Sequence, residues 1–566
     1  MDSSWITLER TRDPAHGDFA SNIALRLAKA ARRSPRELAQ AIVAALPPNP
    51  LIVKTEVAGA GFINFFLVKD VALQELTRIH AQGVAYGRME ANSGEHIILE
   101  FVSANPTGPL HVGHGRQAAY GTTLANVLEA AGHRVYREYY INDSGRQMDI
   151  LAVSVWLRYL ELGGERIVIP QNAYRADYLL PVARALREAR GSALHRMADA
   201  VFSGLPQDAP AGDKELYIDA VIARARTLIG AESFDAVQRF ARDAMLAEIR
   251  ADLDAFGVTF DQWYSERALG ESGAIDRAIG KLRAQGSVYE KDGALWFRAT
   301  AFGDDEDRVV VRENGVKTYF ASDIAYHLQK RERGFQRLID VLGADHHGYV
   351  ARVRGGLTAM GEPGDSLEVC LIQLVSLYRN GEKLSMGKRE GNFVTLRQLR
   401  EEVGSDACRL FFLMRSHDQP LDFDLELAKS KSNENPLFYI QYAHARVASV
   451  LKEAAARGFS YDAALGQSAT LSEHGARLGG ETAQAMIAAL ARYGEVIVQA
   501  AGNRAPHALV HYLRELANTL HSYYNAERML VPDAAQRNAR LWFMQAAQQV
   551  IRNGLGVLGV AAPESM

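Results

Sequence analysis

Two histidines three positions apart, His111 and His114, bracket Val112-Gly113 in the stretch Asn105-Pro106-Thr107-Gly108-Pro109-Leu110-His111-Val112-Gly113-His114-Gly115. A short apolar run, Ile97 to Phe101, precedes this stretch, and helical apolar spacing follows it from about Gly113 to Ala131. A strand end running into a helix start suits phosphate, because free N–H groups and the positive end of the helix dipole face the ligand. Gly113 lets a flat ring approach the backbone closely. His111 and His114 can donate hydrogen bonds to phosphate oxygens and stabilise charge developing on a pentavalent phosphorus. The competing readings are a glycine-rich turn with incidental histidines, and a metal site. No further ligand cluster lies nearby in the sequence, so no metal ligand is assigned.

A second chemical segment lies downstream. Tyr378 to Leu396 reads YRNGEKLSMGKREGNFVTL, a glycine-punctuated basic loop. Lys383, Lys388 and Arg389 can neutralise polyphosphate oxygens as charge moves onto a leaving group. Such a charge run is otherwise a solvated loop. Its pairing with the histidine motif favours function.

The elements that position these residues follow from spacing. Ile97 to Phe101, the helix and Val135 to Tyr140 form a βαβ unit and predict a parallel sheet. Residues before it read as a small α+β unit: apolar spacing over Ser21 to Leu46 with a break at Ser34-Pro35, then strands at Leu51 to Val57 and Phe62 to Leu67. Asp149 to about Ala268 reads as mostly helical, an insertion in the nucleotide fold. Strand-like segments return at Ala294 to Arg298, Arg308 to Arg312, Lys317 to Phe320 and Leu338 to Leu342, and the chain is helical after Asp418. The predicted class is α/β, divided at 1–88, 89–418 (with an inserted helical region at about 150–268) and 419–566.

The 566 residues are 48% hydrophobic and 23% charged, with a formal net charge of −3 and two cysteines, Cys370 and Cys408. This composition allows a large core and excludes a disulfide framework. No apolar run is long enough for a membrane span and no basic-then-apolar leader is present, which predicts a cytoplasmic protein with no membrane partner. Nucleic-acid binding would need local patches. Tyr439, Tyr442 and Arg446 share one helical face, and Tyr523, Tyr524, Asn525 and Arg528 form a second cluster. Tyrosines at such spacing are also ordinary core.

The two motifs in this order resemble the signatures of class I aminoacyl-tRNA synthetases. The closer resemblance, over nearly the whole chain, is to the arginyl-tRNA synthetase family. It is carried by His16 to Asn22, Gly61 to Phe66, Asn105 to His114, Asn142 to Gly145, Tyr319 to Tyr326, Gly343 to Tyr349, Asn433 to Pro436 and Gln441 to Arg446. The chain departs from the family loop where Ser385 holds the first basic position and Gly387 replaces serine; Lys383 is the candidate substitute. The N-terminal unit also reads shorter than usual, and Ser565 stands where arginine is usual.

The resemblance implies a Rossmann-type catalytic domain, a small added N-terminal tRNA-binding domain and a helical anticodon-binding domain. It implies catalytic roles for His111, His114, Lys388 and Lys383, and ATP contacts from Gly113, Gly115, Met386, Gly387 and Arg389. A guanidinium needs carboxylates, and Glu100, Asp323 and Asp345 lie near predicted strand ends. By resemblance, Glu100 and Asn105 hold the α-amino end, Tyr319 and Asp323 address the side chain, and Asp345 and His346 complete the wall. From the residues alone, Asp323 serves equally well as a helix cap. Asn64, Tyr442, Arg446, Tyr524, Arg528 and Met566 are the candidate tRNA contacts.

The implied reaction is activation of L-arginine with ATP and Mg²⁺, then transfer to arginine tRNA by a monomer that activates the amino acid only with tRNA bound. The rivals are a class I-like adenylating nucleotidyltransferase that never meets tRNA, and a non-catalytic synthetase-derived RNA-binding protein. Lysine or cysteine specificity is a further alternative; the cysteine enzymes' zinc ligands are missing from this sequence.

Overall fold

The computed structural model describes residues 6–11, 13–68, 71–344, 348–384 and 393–566. At its centre five parallel strands lie in the order Leu367–Ile372, Arg337–Gly343, His96–Phe101, Arg134–Ile141, Gln262–Ser265. The chain enters on the middle strand, moves outward to Gln262–Ser265, then returns to the other side of the middle strand. Connections therefore leave His96–Phe101 and Arg337–Gly343 in opposite directions. This opens a crevice at their carboxyl ends, where α/β sheets bind ligands.

Alternation along the strands sorts side chains between two faces. Ile97, Leu99 and Phe101 join the core that contains Ala118, Leu124 and Leu128 of the helix Val112–Ala130. Gly121 allows this helix to sit close, since a Cβ there would lie 2.3 Å from the Phe101 ring. Ile98 and Leu338 point the other way, into the core containing Ala321, Ile324 and Leu328 of the helix Tyr319–Glu332. Glu100 shares the parity of Ile98 and faces that second helix.

The insertion has its own core, with Trp156, Leu157, Val221, Phe234 and Val237 among its members. Its helices include Arg146–Leu162, Lys214–Ile229 and Ala231–Ala255. The stretch read as helical up to Ala268 contains the edge strand Gln262–Ser265. Four residues are too few for periodicity to register. Lys317 to Phe320, read as strand, is instead a single bridge from Lys317 to Val311 followed by the helix start. Thr318 caps that helix, its side chain accepting from the Ala321 N–H. After Asp418 the chain forms one more strand, Leu421–Asp424, beside Val375–Arg379, before it becomes helical.

The N-terminal unit is a four-stranded antiparallel sheet with two helices, Ile23–Ala31 and Pro35–Ala45. Ser34 and Pro35 make the break read from sequence, the Ser34 hydroxyl accepting from Glu37 N–H at 3.3 Å. The C-terminal helices, from Pro436–Ala456 to Ala534–Leu558, share the core that covers the Val112–Ala130 face of the sheet. No helix of the described residues is long and apolar enough to cross a membrane.

Candidate active site

His111 is the N-cap of the helix Val112–Ala130. Its Nδ1 accepts from the N–H groups of Gly113 (3.1 Å) and His114 (3.4 Å), while His114 Nδ1 accepts from His111 N–H at 3.3 Å. The reciprocal arrangement is a capping box built from imidazoles. The rings stack with centroids 3.6 Å apart. An imidazole accepting at Nδ1 carries its proton on Nε2 when neutral, so Nε2–H is the donor each ring brings to a ligand. Gly113 is required by this stack, because a Cβ would lie 2.9 Å from His111 Cε1. Gly115 faces the core instead. A Cβ there would meet Leu396 at 2.8 Å and Phe412 at 3.1 Å, which places its role in packing rather than in nucleotide contact.

The second motif returns to this helix end. Val112 N–H donates to Val394 carbonyl at 3.3 Å, Leu396 N–H to Leu110 carbonyl at 2.8 Å, and His111 bridges Thr395. Lys383 is exposed on the hairpin strand Glu382–Lys383, opposite Tyr378. Lys388, Met386, Gly387 and Arg389 lie outside the described residues, as do Asp345 and His346.

Between the strand His96–Phe101 and the motif, Val102 (φ 69°) and Ser103 (φ 38°) are left-handed. For a β-branched residue this costs roughly 1–2 kcal/mol. Ser103 Oγ holds the turn by donating to Glu100 Oε1 (2.9 Å) and accepting from Tyr140 N–H (3.0 Å). The insertion grips the next residues: Tyr178 Oη donates to Thr107 carbonyl at 2.7 Å and overlies Gly108.

Glu100 is braced from within the fold. Its second oxygen accepts from Lys330 Nζ at 2.7 Å, so both oxygens are engaged within the fold. The cause is register. Asp340, Glu100 and Glu138 lie side by side on adjacent strands and form a row of buried carboxylates. The covering helix answers that row. Lys330 Nζ also donates to Asp340 at 2.9 Å, Tyr326 Oη to Glu138 at 2.7 Å, and Arg333 pairs with Glu138 at 2.7 Å. His327 places one ring nitrogen 2.7 Å from Asp340 Oδ2 and the other 2.8 Å from Asp323 carbonyl. Burial would raise the Asp340 carboxyl, but Lys330 and His327 together outweigh it and hold it far below the ordinary range.

Asp323 stands apart from that paired row. It lies one turn inside the helix that Thr318 caps, so it is not the cap. No donor to its carboxylate is found among the described residues. It is raised to about 7, chiefly by burial; His327 opposes the rise, while Glu266, Glu100 and Asp340 add to it. Glu266, just past Gln262–Ser265, is likewise raised, chiefly by burial. Its Oε2 is buried with no hydrogen-bond partner among the described residues. Tyr140 and Tyr349 sit within electrostatic reach of Asp323 and are pushed up by burial and these acids. Sequence reasoning missed Glu266 because the strand that delivers it went unread. At the rim, Tyr319 is 72% exposed with its hydroxyl over Gly145, and Asn105 Nδ2 donates to Gln147 at 2.9 Å. Two desolvated carboxylates with no cation paired to them among the described residues, beside tyrosines, have the chemistry to receive a guanidinium.

On the C-terminal helices, Arg446 is sandwiched between the Tyr442 and Tyr524 rings at 4.5 and 4.6 Å. It donates to Tyr442 Oη and His521 Nδ1, both at 2.8 Å. His521 is held low by burial and by Arg446. Tyr523 is core, its hydroxyl donating to Leu478 carbonyl. Arg528 and Met566 are exposed. Asn64 is only 4% exposed, opposite Ala20 and Glu56 in the N-terminal sheet, and is not presented to an RNA.

Residues 2–67 match the model of the arginyl tRNA synthetase N terminal domain. Residues 75–162 and 224–417 match that of the class I (R) tRNA synthetase catalytic domain, and 440–566 that of the DALR anticodon binding domain. The arginine–tRNA ligase of Thioalkalivibrio sulfidiphilus is 55% identical over 562 residues, 99% of this chain and 95% of the relative. The chain belongs to the arginyl-tRNA synthetase family. An arginine–tRNA ligase of Legionella pneumophila, strain Corby, is 51% identical over the same shares of both chains. The Thermus thermophilus arginyl-tRNA synthetase, at 23% identity, superposes with a TM-score of 0.72 over 99% of this chain and 96% of its own, so family members share this fold.

Proposed function

We propose that this chain activates L-arginine with ATP to arginyl-adenylate and transfers the arginyl group to the 3′ end of arginine tRNA, releasing pyrophosphate and then AMP. The observation that carries this reading is that the carboxyl ends of the sheet bear both a helix end capped by two imidazoles and two desolvated carboxylates with no cation paired to them among the described residues. Arginine enters with its guanidinium toward Asp323 and Glu266, past Tyr319. Its carboxylate then attacks the α-phosphorus in line, and the pyrophosphate oxygens leave against His111, His114 and the basic loop. The terminal 2′-hydroxyl of the tRNA attacks the adenylate carbonyl in the second step. Positioning and electrostatics suffice, and no protein nucleophile is needed.

The phosphate end offers nitrogen donors, and among the described residues no three metal-ligating side chains gather. That donor set fits Mg²⁺ riding on the triphosphate, where it neutralises phosphate charge, rather than a dedicated protein cage. Arg446, Tyr442 and Tyr524 form the surface on which anticodon bases stack.

The test is arginine-dependent exchange of pyrophosphate into ATP, with and without arginine tRNA. Exchange that needs arginine and no other amino acid supports the reading; a folded chain that exchanges under neither condition defeats it. In the same assay, His114→Ala lowers kcat by about a hundred- to a thousandfold, the effect of removing one transition-state donor. The KM for arginine changes no more than a few-fold. An unchanged kcat would remove His114 from the phosphate site.

A further inference from the structure

We propose that Arg116 is a positioning residue for the activation step, its guanidinium holding the histidine-capped helix at a fixed distance from the root of the lysine-bearing hairpin. The inference rests on the arginine-activating reading above. Arg116 lies two residues beyond His114 and is 1% exposed. Its Nη1 donates to the carbonyls of Gln373 and Gln419, and its Nη2 to that of Ser416, each at 2.9 Å. Gln373 is the link between the strands Leu367–Ile372 and Val375–Arg379, the second of which runs into Glu382–Lys383. Ser416 and Gln419 belong to the turn that enters Leu421–Asp424, the parallel neighbour of Val375–Arg379. One side chain therefore ties the histidine helix to both strands at the base of the hairpin.

The same helix holds the other root of the basic segment. Val394 and Leu396 pair with Val112 and Leu110. The hairpin is thus anchored through Arg116, and the return of the chain at Val394 to Leu396 through the backbone around His111. The spacing of Lys383 from the imidazoles depends on both anchors. Misplacing catalytic groups by about 1 Å can cost on the order of a hundredfold in rate.

A purely stabilising role fits this side chain poorly. Among the described residues Arg116 has no ion pair, and burial lowers it to about 10, with Asp418 raising it only in part. A buried cation without a counter-charge is a poor source of stability, since an apolar side chain avoids its desolvation. Its planar fork, however, spreads its N–H donors over two nitrogens in a fixed geometry, whereas the three donors of a lysine ammonium rotate about a single nitrogen.

The experiment compares full-length Arg116→Lys with the unmodified chain in pyrophosphate exchange with arginine and tRNA present. Arg537→Lys is the control: Arg537 is also buried and binds two carbonyls, of Val531 and Pro532, but within the C-terminal helices. For Arg116→Lys, kcat should fall on the order of a hundredfold. Its KM for arginine should stay within twofold, and Arg537→Lys should keep its kcat within threefold. An Arg116→Lys kcat within threefold of the unmodified chain, or an equal fall in Arg537→Lys, overturns the proposal. If Arg116→Lys does not fold, Arg116→Gln, which removes the charge and keeps an amide donor, is read in the same way; failure of both to fold also overturns it. Absence of exchange by the unmodified chain would instead sink the activation reading, and this proposal with it.

Discussion

Asp323→Asn raises the KM for arginine on the order of a hundredfold and leaves the arginine-free protein as stable as before, or more so. The two effects have opposite signs because the carboxylate is poorly placed for the fold and well placed for a cation. In the empty pocket it is desolvated, faces Glu266, Glu100 and Asp340, and is raised to about 7. A group raised in this way contributes stability that is fully present below its unfolded value of 3.8 and is lost as pH rises through about 7. Asparagine escapes that loss, so the variant's gain in melting temperature should be largest at pH 8 and vanish near pH 4. A carboxylate needed by the fold would show the reverse: a large fall in melting temperature with little change in KM.

The same group predicts how binding responds to pH. Above about 7 the carboxylate is already ionised and arginine meets no competitor. Below it, arginine must displace a proton. Its dissociation constant should therefore rise about tenfold per pH unit while Asp323 is the only group exchanging a proton. Calorimetry in two buffers of different ionisation enthalpy would report the released proton directly. A dissociation constant flat from pH 8 to pH 6, with no buffer dependence, would take Asp323 out of the pocket.

What could be read in the sequence divides by distance along the chain. The histidine motif was legible because its parts are local: a strand end, a glycine and a helix start within a dozen residues. The α/β class followed from the same βαβ unit, and the family comparisons and the parallel sheet bear it out. Asp323 was ambiguous between cap and ligand, and only the position of Thr318 removes the first option. Glu100 was read as a substrate ligand by resemblance, and an acid in an apolar strand also needs a partner within the fold. That partner is Lys330, 230 residues away, and nothing local signals it. Glu266 was invisible for a different reason: a four-residue edge strand carries too little pattern to be told from the helices around it. Asn64 shows the limit of a motif, which marks a position without saying which way its side chain turns.

Lys330→Met lowers stability by about 3–5 kcal/mol at neutral pH, the cost of stranding buried carboxylates whose cation has been removed. Glu100 and Asp340 both lose the ammonium at 2.7 and 2.9 Å, and His327 alone cannot serve both. The penalty depends on ionisation. In the unmodified chain Asp340 is held far below the ordinary range, so its contribution is present above its unfolded value of 3.8 and is lost only as pH falls through its low folded value. Without Lys330 the Asp340 carboxyl rises and takes up a proton earlier, so the gap between variant and unmodified chain should narrow as pH falls from 7.5 to 5 in urea titrations. A gap of equal size at both values would mean that the side chain's packing, not its charge, is what the fold requires. The consequence extends to the crevice. Lys330 orients Glu100, Glu100 accepts from Ser103, and Ser103 holds the left-handed turn from which the histidine motif begins. Glu100 thereby braces the loop that leads from its strand to the histidine motif.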